Sequence, residues 1–282
     1  MSSTRKALYA LLIILLLFLL QPHGGTWAWL ANMRWLYVFL VAFIFAYLLT
    51  PVSIYLGWRF NILDNPDVHR KFQAKPVPRI GGLAIFLAIL LSTIRNFEFS
   101  PQLTALMIAS SLMFFLGFVD DIYPLRASFR IGVQIIASLI VVNSGIYITI
   151  IPLHWPFHYA LSAIITVVWL IGMSNAINFM DGVDGLCTSM VALTSTLFFL
   201  ISWHTHQTYV SFLLIALSGA CLGFLPYNWK RATVYLGDAG STFIGFLIAA
   251  LAVMGAWSDY NPMVALSTPL MILGIPIFDM IY

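Results

Sequence analysis

The chain has 282 residues, of which 61% are hydrophobic and 8% are charged, and its mean hydropathy is +0.96. Soluble globular domains carry about 25% charged residues, so this composition excludes a soluble domain and predicts an integral membrane protein. The net charge of +3, from 13 basic and 10 acidic residues, gives no indication of nucleic acid as a partner, and we expect none. Cys187 and Cys221 lack CxxC spacing, which favours buried hydrophobic side chains over a disulfide or a metal pair.

Ten apolar stretches are candidates for transmembrane helices, although several are shorter than the roughly 20 residues that cross a bilayer. They are centred on residues 7–20, 35–56, 80–97, 103–119, 129–149, 159–173, 186–203, 209–225, 239–257 and 263–282. The sequence therefore predicts an all-α, polytopic membrane protein with a single membrane domain over residues 1–282. Arg5 and Lys6 precede the first stretch as in a signal peptide, but QPHGGTWAW contains no clear cleavage site, so we expect an uncleaved anchor.

Charge placement gives the sidedness of the ten predicted spans. Alternate threading places residues 1–6, 57–79, 120–128, 174–185 and 226–238 on one face. Eleven of the 13 basic residues lie on that face or at its edge, and only Arg34 and Arg95 lie on the other. Because basic residues mark the cytoplasmic side, we expect this face and the N-terminus to be cytoplasmic. Most acidic residues follow the same division, with only Glu98 and Asp259 outside, which predicts a polar site at the cytoplasmic membrane surface.

The first cytoplasmic loop, residues 57–83, is rich in proline and cations. Its basic residues, which include Lys71 and Arg79, are suited to gripping phosphates. An ordinary basic loop beside anionic lipid headgroups would have the same composition. Gly81 and Gly82 open the next span, where they permit close approach of the backbone to a ligand or to another helix.

The second loop, residues 117–130, begins with the adjacent carboxylates Asp120 and Asp121. Such a pair suits Mg²⁺ coordination or a general base. The alternative is a polar pair that ends a helix at the headgroup level.

The third loop contains NAINFMDGVDGL, residues 175–186. If this segment is helical, Asn178, Asp181 and Asp184 project from one face at positions i, i+3 and i+6. Together with Asn175 they offer hard oxygen ligands and hydrogen-bond donors for a sugar, a base or a Mg²⁺ shell. Helix capping would need only one such residue, so the pattern favours a functional site.

The fourth loop, residues 226–246, contains the small-residue turn from Gly237 to Ser241. The backbone N–H groups of this turn, at the start of a span, favour an anion, and Asp238 would hold a metal beside it. Lys230 adds charge for binding phosphate. The turn is not a Walker A loop, because it lacks the GK[ST] ending.

The ordered motifs DNPDVHRK…KPVPRIGG, FVDD, NAINFMDGVDGL and YLGDAGS resemble those of the bacterial polyprenyl-phosphate N-acetylhexosamine-1-phosphate transferases. Phospho-MurNAc-pentapeptide transferase belongs to the same superfamily. The resemblance covers residues 35–282, so the span at 7–20 looks like an N-terminal addition. It implies a bacterial inner-membrane enzyme that transfers a sugar 1-phosphate, expected to be GlcNAc 1-phosphate, from a UDP-N-acetylhexosamine to undecaprenyl phosphate and releases UMP. The implied cofactor is Mg²⁺, with Mn²⁺ as an alternative, and a homodimer is compatible with it.

The resemblance also implies roles for individual residues. Asp120 and Asp121 match an aspartate pair proposed to deprotonate the acceptor phosphate. Asp238 matches a Mg²⁺ ligand, which Asn178 would assist. The substrate-binding set implied or inferred comprises Lys71, Arg79, Asn175, Asp181, Asp184, Lys230, Gly237 and Ser241.

The sequence departs from the family pattern at two places. Gln73 stands where the family often has histidine. The family also carries an HxHH-type histidine loop beyond the span that contains PIFDMIY, and this sequence stops at Tyr282, where that loop would begin. We therefore expect either a truncated sequence or a degenerate member. An inactive relative that serves as a partner, and an ion-coupled transporter, are the rival interpretations. The transporter is disfavoured because the acidic residues cluster at one surface rather than at the midplane of paired repeats.

Overall fold

The computed structural model describes residues 3–21, 26, 33–65, 75–152, 154–257 and 262–281. Within these ranges we number eleven α-helices in chain order. They are α1 Ser3–Leu20, α2 Arg34–Arg59, α3 Gly82–Asn96, α4 Pro101–Ile122, α5 Ala127–Asn143, α6 His158–Phe179, α7 Leu186–His204, α8 Thr208–Asn228, α9 Gly237–Met254, α10 Pro262–Ile272 and α11 Gly274–Ile281. A 3-10 turn, Met180–Gly182, follows α6, and the short strands β1 Leu63–Asp64 and β2 Val77–Pro78 pair antiparallel.

The prediction of an all-α, multi-pass membrane protein is confirmed. Among the described helices, α2, α4, α6 with its 3-10 turn, α7, α8 and α9 are long and apolar enough to cross a membrane, and α1, α3 and α5 are shorter apolar helices. The last predicted span differs from the prediction because it is divided at Leu273 into α10 and α11. Pro276 lies just beyond the break and has no N–H to donate back along a continuous helix.

Two of the helices, α8 and α9, form the buried centre of the bundle. Helix α9 contacts α3, α4 and α6, and α8 contacts α2 and α7. A Cβ atom at Gly219 or Gly223 of α8 would overlap the backbone carbonyl of Phe39 or Phe43 in α2. Small residues of this kind let helix backbones approach closely, which favours association inside a membrane, where apolar burial alone gives little gain.

The N-terminal helix α1 packs against α2. The Tyr9 hydroxyl hydrogen-bonds to that of Tyr227 at the end of α8. The ring of Tyr47 lies between them, 5.7 Å from Tyr9 and 5.1 Å from Tyr227 by centroid distance. The stretch predicted as an added N-terminal span is thus docked onto the helices beside it.

Candidate active site

The first and fourth loops meet through their backbones at one end of the bundle. The N–H groups of Gly81 and Gly82 donate to the carbonyls of Tyr235 (2.9 Å) and Leu236 (2.8 Å). The N–H of Tyr235 donates in turn to the carbonyl of Pro78 at 2.8 Å. A Cβ atom at Gly82 would overlap the backbone of Gly240. The predicted close approach at the glycine pair is therefore an approach of helix α3 to helix α9.

The start of α9 depends on the backbone of Gly237. Its φ of +76° lies in the left-handed region, which glycine adopts without the penalty of a side chain. A Cβ atom here would overlap the carbonyl of Arg79. Gly237 therefore permits the turn that brings Asp238 to the end of the bundle. The absence of a side chain at Gly237 also lets this turn lie against Arg79 of the first loop.

The Asp121 carboxylate is buried at the end of α4 and is 3% exposed. It accepts the backbone N–H groups of Asp238 (3.1 Å) and Ala239 (3.0 Å), at the N-terminus of α9. The guanidinium of Arg79 lies 3.8 Å from the same carboxylate and donates to the Asp121 carbonyl. These N–H groups had been predicted to bind a substrate anion. In the structure, the protein's own carboxylate is the anion that they bind.

Asp120 points to different partners. Its Oδ2 atom forms an ion pair with Arg130 at 2.8 Å, and its Oδ1 atom accepts the N–H of Leu125 at 2.6 Å. The Asp238 carboxylate is a further electrostatic neighbour. The two adjacent aspartates are thus each compensated by an arginine, and both hold neighbouring segments in place.

Asp181 and Asp238 lie near Asp121, and the three side chains form what we call the carboxylate cluster. The Asp181 carboxylate accepts the N–H of Gly237, and its electrostatic neighbours include Asp238 and Asp121. Asn178 donates from Nδ2 to Asp238 Oδ1 at 2.9 Å and to Ser241 Oγ at 2.8 Å. Carboxylates from α4, the turn after α6 and α9 therefore converge around the N-terminus of α9.

The third loop differs from its predicted form. Helix α6 ends at Phe179, and the chain continues through the 3-10 turn to Gly185, whose φ is +71°. Asn178, Asp181 and Asp184 consequently do not share one helical face. Asp184 is exposed and accepts the N–H of Ala232 in the fourth loop at 2.9 Å. Gly185 adopts this positive φ without the penalty of a side chain, which permits the turn before the next helix.

The remaining predicted residues differ in their partners and in their exposure. The amide of Asn175 is paired with that of Gln134 on α5, at 3.1 and 3.3 Å, rather than with a carboxylate. The Ser241 side chain is fully buried and donates to the carbonyl of Gly237 at 2.8 Å. Lys230 is exposed beside this end of the bundle. Lys71 lies outside the described residues.

Sequence reasoning did not assign Arg130 or Gln134 to the site. Both lie on α5, four residues apart and therefore on one helix face. Arg130 reaches back to Asp120, and Gln134 reaches Asn175 on α6. A cation and an amide at this spacing in an otherwise apolar helix were a usable signal for a face turned toward other polar groups.

Electrostatics at this end of the bundle favour a cation. The described residues supply an arginine to Asp120 and to Asp121 but none to Asp181 or Asp238. Burial raises the pKa of Tyr235, in the fourth loop, and the nearby Asp184, Asp64 and Asp181 raise it further, so the negative potential extends over the loop.

The donor set suits Mg²⁺ in one specific way. In the described part of the chain, no three His, Cys, Asp or Glu residues are grouped so as to hold a metal by themselves. Mg²⁺ commonly takes only one or two carboxylates and completes its shell with waters and substrate phosphates. Asp181 and Asp238, which are close together and lack a protein cation among the described residues, fit that pattern.

Comparisons with known proteins identify the family of this chain. The profile of glycosyl transferase family 4 matches residues 103–256. A probable undecaprenyl-phosphate N-acetylglucosaminyl 1-phosphate transferase of Bacillus subtilis is 28% identical over 246 residues, which cover 86% of this chain and 68% of that protein. The decaprenyl-phosphate N-acetylglucosaminephosphotransferase of Mycolicibacterium smegmatis is 32% identical, over 77% of this chain and 59% of the relative.

Relatives with a different printed activity are also similar. The phospho-N-acetylmuramoyl-pentapeptide-transferase of Bacillus pumilus is 28% identical over 78% of this chain and 74% of its own length. The chain spans about three fifths of the length of the mycobacterial relatives. The profile covers more than half of the chain and includes three of the four motifs that carry the resemblance. The chain therefore belongs to glycosyl transferase family 4, in the superfamily of the polyprenyl-phosphate sugar-1-phosphate transferases.

Proposed function

We propose that this protein transfers an N-acetylhexosamine 1-phosphate, with GlcNAc as the sugar, from a UDP-sugar to undecaprenyl phosphate. The products are a lipid-linked diphosphate sugar and UMP. The observation that carries the proposal is the convergence of Asp121, Asp181 and Asp238 at one end of a membrane helix bundle. The relatives named for N-acetylglucosaminyl 1-phosphate transfer support the choice of sugar.

The proposed setting is the bacterial inner membrane, with the carboxylate cluster and the N-terminus on the cytoplasmic side. The 11 to 2 division of basic residues supports this orientation. Undecaprenyl phosphate would arrive within the leaflet, and the UDP-sugar would arrive from the cytosol. Both substrates are anions, so the cations Arg79 and Lys230, with Lys71 of the first loop, are suited to gather them.

Asp181 and Asp238 would be the residues that hold Mg²⁺. The amide of Asn178 donates to the Asp238 carboxylate and so positions it, and the Ser241 hydroxyl oxygen accepts a second hydrogen bond from the same amide. When bound, the ion supplies positive charge that offsets the charge on the transferring group. Mn²⁺ has the same charge and accepts the same oxygen ligands.

The chemistry itself requires positioning more than proton removal. An oxygen of the lipid phosphate forms a bond to the phosphorus that carries the sugar, and the bond from that phosphorus to the bridging oxygen of UMP breaks. A phosphate monoester has a second pKa near 6, so the acceptor is largely ionised at neutral pH without a base. We therefore propose that Asp120 and Asp121 act as positioning residues. Each is already engaged by an arginine, and backbone N–H groups donate to both, one to Asp120 and two to Asp121.

The test is release of UMP from UDP-GlcNAc by purified protein supplied with undecaprenyl phosphate and Mg²⁺. We expect Asp181→Asn and Asp238→Asn each to lower the rate about 100-fold or more, as is common when a charge-stabilising group is removed. A chelator should stop the reaction, and Mg²⁺ should restore it. Glu98→Gln removes a carboxylate at the other end of the bundle and should keep the parental rate. Parental rates in either aspartate variant would contradict the proposed site.

A further inference from the structure

A polar cavity lies at the end of the bundle opposite to the carboxylate cluster. Its volume is about 440 Å³, and its lining includes Arg34, Arg95, Phe97, Tyr209 and Phe212. It is formed by the N-termini of α2 and α8 and by the C-terminus of α3, whereas the cluster lies near the other ends of the same three helices. Arg34 and Arg95 are the two basic residues that the charge count placed on the face away from the other eleven.

The two arginines give this cavity an excess of positive charge. Arg34 donates to the carbonyl of Asn96 at 2.8 Å, and its guanidinium carbon lies 5.3 Å from the centre of the Phe212 ring. These contacts orient the guanidinium and leave donors available. Arg95 is exposed and makes a long contact, 3.4 Å, to the carbonyl of Gln21. Glu98 also lines the cavity, but throughout the described ranges no carboxylate pairs with either arginine.

The helix ends add to the positive potential. Neither Met33, before α2, nor Gln207, before α8, caps its helix with a side-chain hydrogen bond. Helix N-termini carry partial positive charge and favour anions. Arg34 is the first residue of α2, so its cation stands where the helix dipole alone would disfavour it. An anion in the cavity would relieve this repulsion.

The apolar part of the lining indicates what kind of anion fits. Phe97 is buried, and its ring packs edge-on against those of Tyr209 and Phe212. Helices α2 and α8, which begin at the cavity, are both long and apolar enough to span a membrane, so the cavity lies near the level of lipid headgroups. The guanidinium group of arginine can donate two parallel hydrogen bonds to phosphate oxygens. The aromatic rings offer an apolar surface for glycerol and acyl carbons.

We propose that this cavity binds a phosphate group, supplied by an anionic glycerophospholipid of the leaflet on that side of the membrane. Free inorganic phosphate shares the anionic chemistry but would make no use of the aromatic wall. The inference does not depend on the reaction proposed above, because it involves the opposite end of the molecule.

The test is calorimetric titration of the purified protein in a non-ionic detergent. The titrants are short-chain phosphatidylglycerol, short-chain phosphatidylcholine and inorganic phosphate. For the double variant Arg34→Gln/Arg95→Gln we expect affinity for phosphatidylglycerol to fall roughly tenfold for each arginine, because each charge-assisted hydrogen bond is lost. Arg59→Gln removes one positive charge at the other end of α2, so it should bind as the parent does.

A second double variant, Arg34→Lys/Arg95→Lys, separates binding from folding. It keeps both charges but lacks the planar guanidinium that donates two hydrogen bonds at once, so we expect intermediate affinity. The elution volume in size-exclusion chromatography should be unchanged. Equal affinity for phosphatidylglycerol in the parent and the glutamine variant would overturn the proposal, as would no preference for phosphatidylglycerol over phosphatidylcholine. If inorganic phosphate binds as tightly and with the same arginine dependence, the lipid source is overturned and the phosphate site is supported.

Discussion

Replacing Asp121 with asparagine tests whether this carboxylate holds the site together. The change preserves shape but removes the charge that faces Arg79 and the N-terminus of α9. An asparagine oxygen can still accept one backbone N–H, but its NH₂ group cannot accept the other. We therefore expect Asp121→Asn to lower both activity and stability.

The size of the effect follows from what Asp121 contacts. Loss of a helix-capping side chain costs about 1 kcal/mol, and removal of one partner from a buried ion pair costs about 3–5 kcal/mol. Arg79 is partly exposed, so water offsets part of the second figure. A total near 3 kcal/mol is a reasonable expectation, and at about 2–4 °C per kcal/mol it corresponds to a fall in Tm of roughly 6–12 °C.

The assay is thermal unfolding of purified protein in one detergent, with Asp238→Asn as the matched control. Asp238 accepts one amide hydrogen bond from Asn178, which asparagine can also accept, and it lacks a cationic partner in the described part of the chain. Its neutralisation relieves repulsion with Asp181, so the control should unfold at or above the parental temperature. If Asp121→Asn loses activity but unfolds at the parental temperature, the capping explanation is wrong and Asp121 acts in the chemistry itself.

Two further substitutions test the packing around the site. Gly82→Ala should destabilise the protein by about 1–3 kcal/mol in a chemical-denaturation assay, because the added Cβ would overlap the backbone of Gly240. Gly172→Ala, where nothing lies within 4 Å, should be neutral or stabilising, and equal effects at both positions would contradict the close approach of α3 and α9. Gln134→Leu should cost about 1–3 kcal/mol because it leaves the Oδ1 atom of Asn175 without its donor, while Nδ2 keeps its hydrogen bond to the Ile171 carbonyl. The double variant Gln134→Leu/Asn175→Leu should recover most of that loss while UMP release continues, whereas complete loss of activity in a stable double variant would indicate that Asn175 binds substrate.

The all-α, multi-pass architecture could be predicted from the sequence because apolar runs bounded by polar residues follow one another along the chain, but the break at Leu273 in the last predicted span was not foreseen. The meeting of the four loops could also be predicted, since alternate threading places them on one face. The end of α6 was not foreseen. The spacing of Asn178, Asp181 and Asp184 fits a helix, but Gly185 adopts a positive φ and turns the chain toward Ala232. Periodicity alone does not reveal which of several glycines will end a helix.

The partners of the polar side chains could not be predicted from the sequence, for a different reason. Asp120 and Asp121 are adjacent, but successive residues of a helix point in different directions. One therefore reaches Arg130 in the next helix, and the other reaches the N-terminus of α9, more than a hundred positions away in the chain. Motif spacing places such residues at one end of the bundle. Only the packing of α4 against α9 determines which carboxylate meets which donor.

The occupation of the α9 N-terminus changes how this site would handle its substrates. The first three N–H groups of α9 face Asp181 and Asp121, so the helix dipole stabilises the protein's own carboxylates instead of a phosphate. The carboxylates are thereby held close together at a cost in repulsion that a bound cation would relieve. In our proposal Mg²⁺ is that cation, which would make metal and diphosphate binding strongly interdependent. The exposed cations of the first and fourth loops then remain as the groups that first attract the anionic substrates.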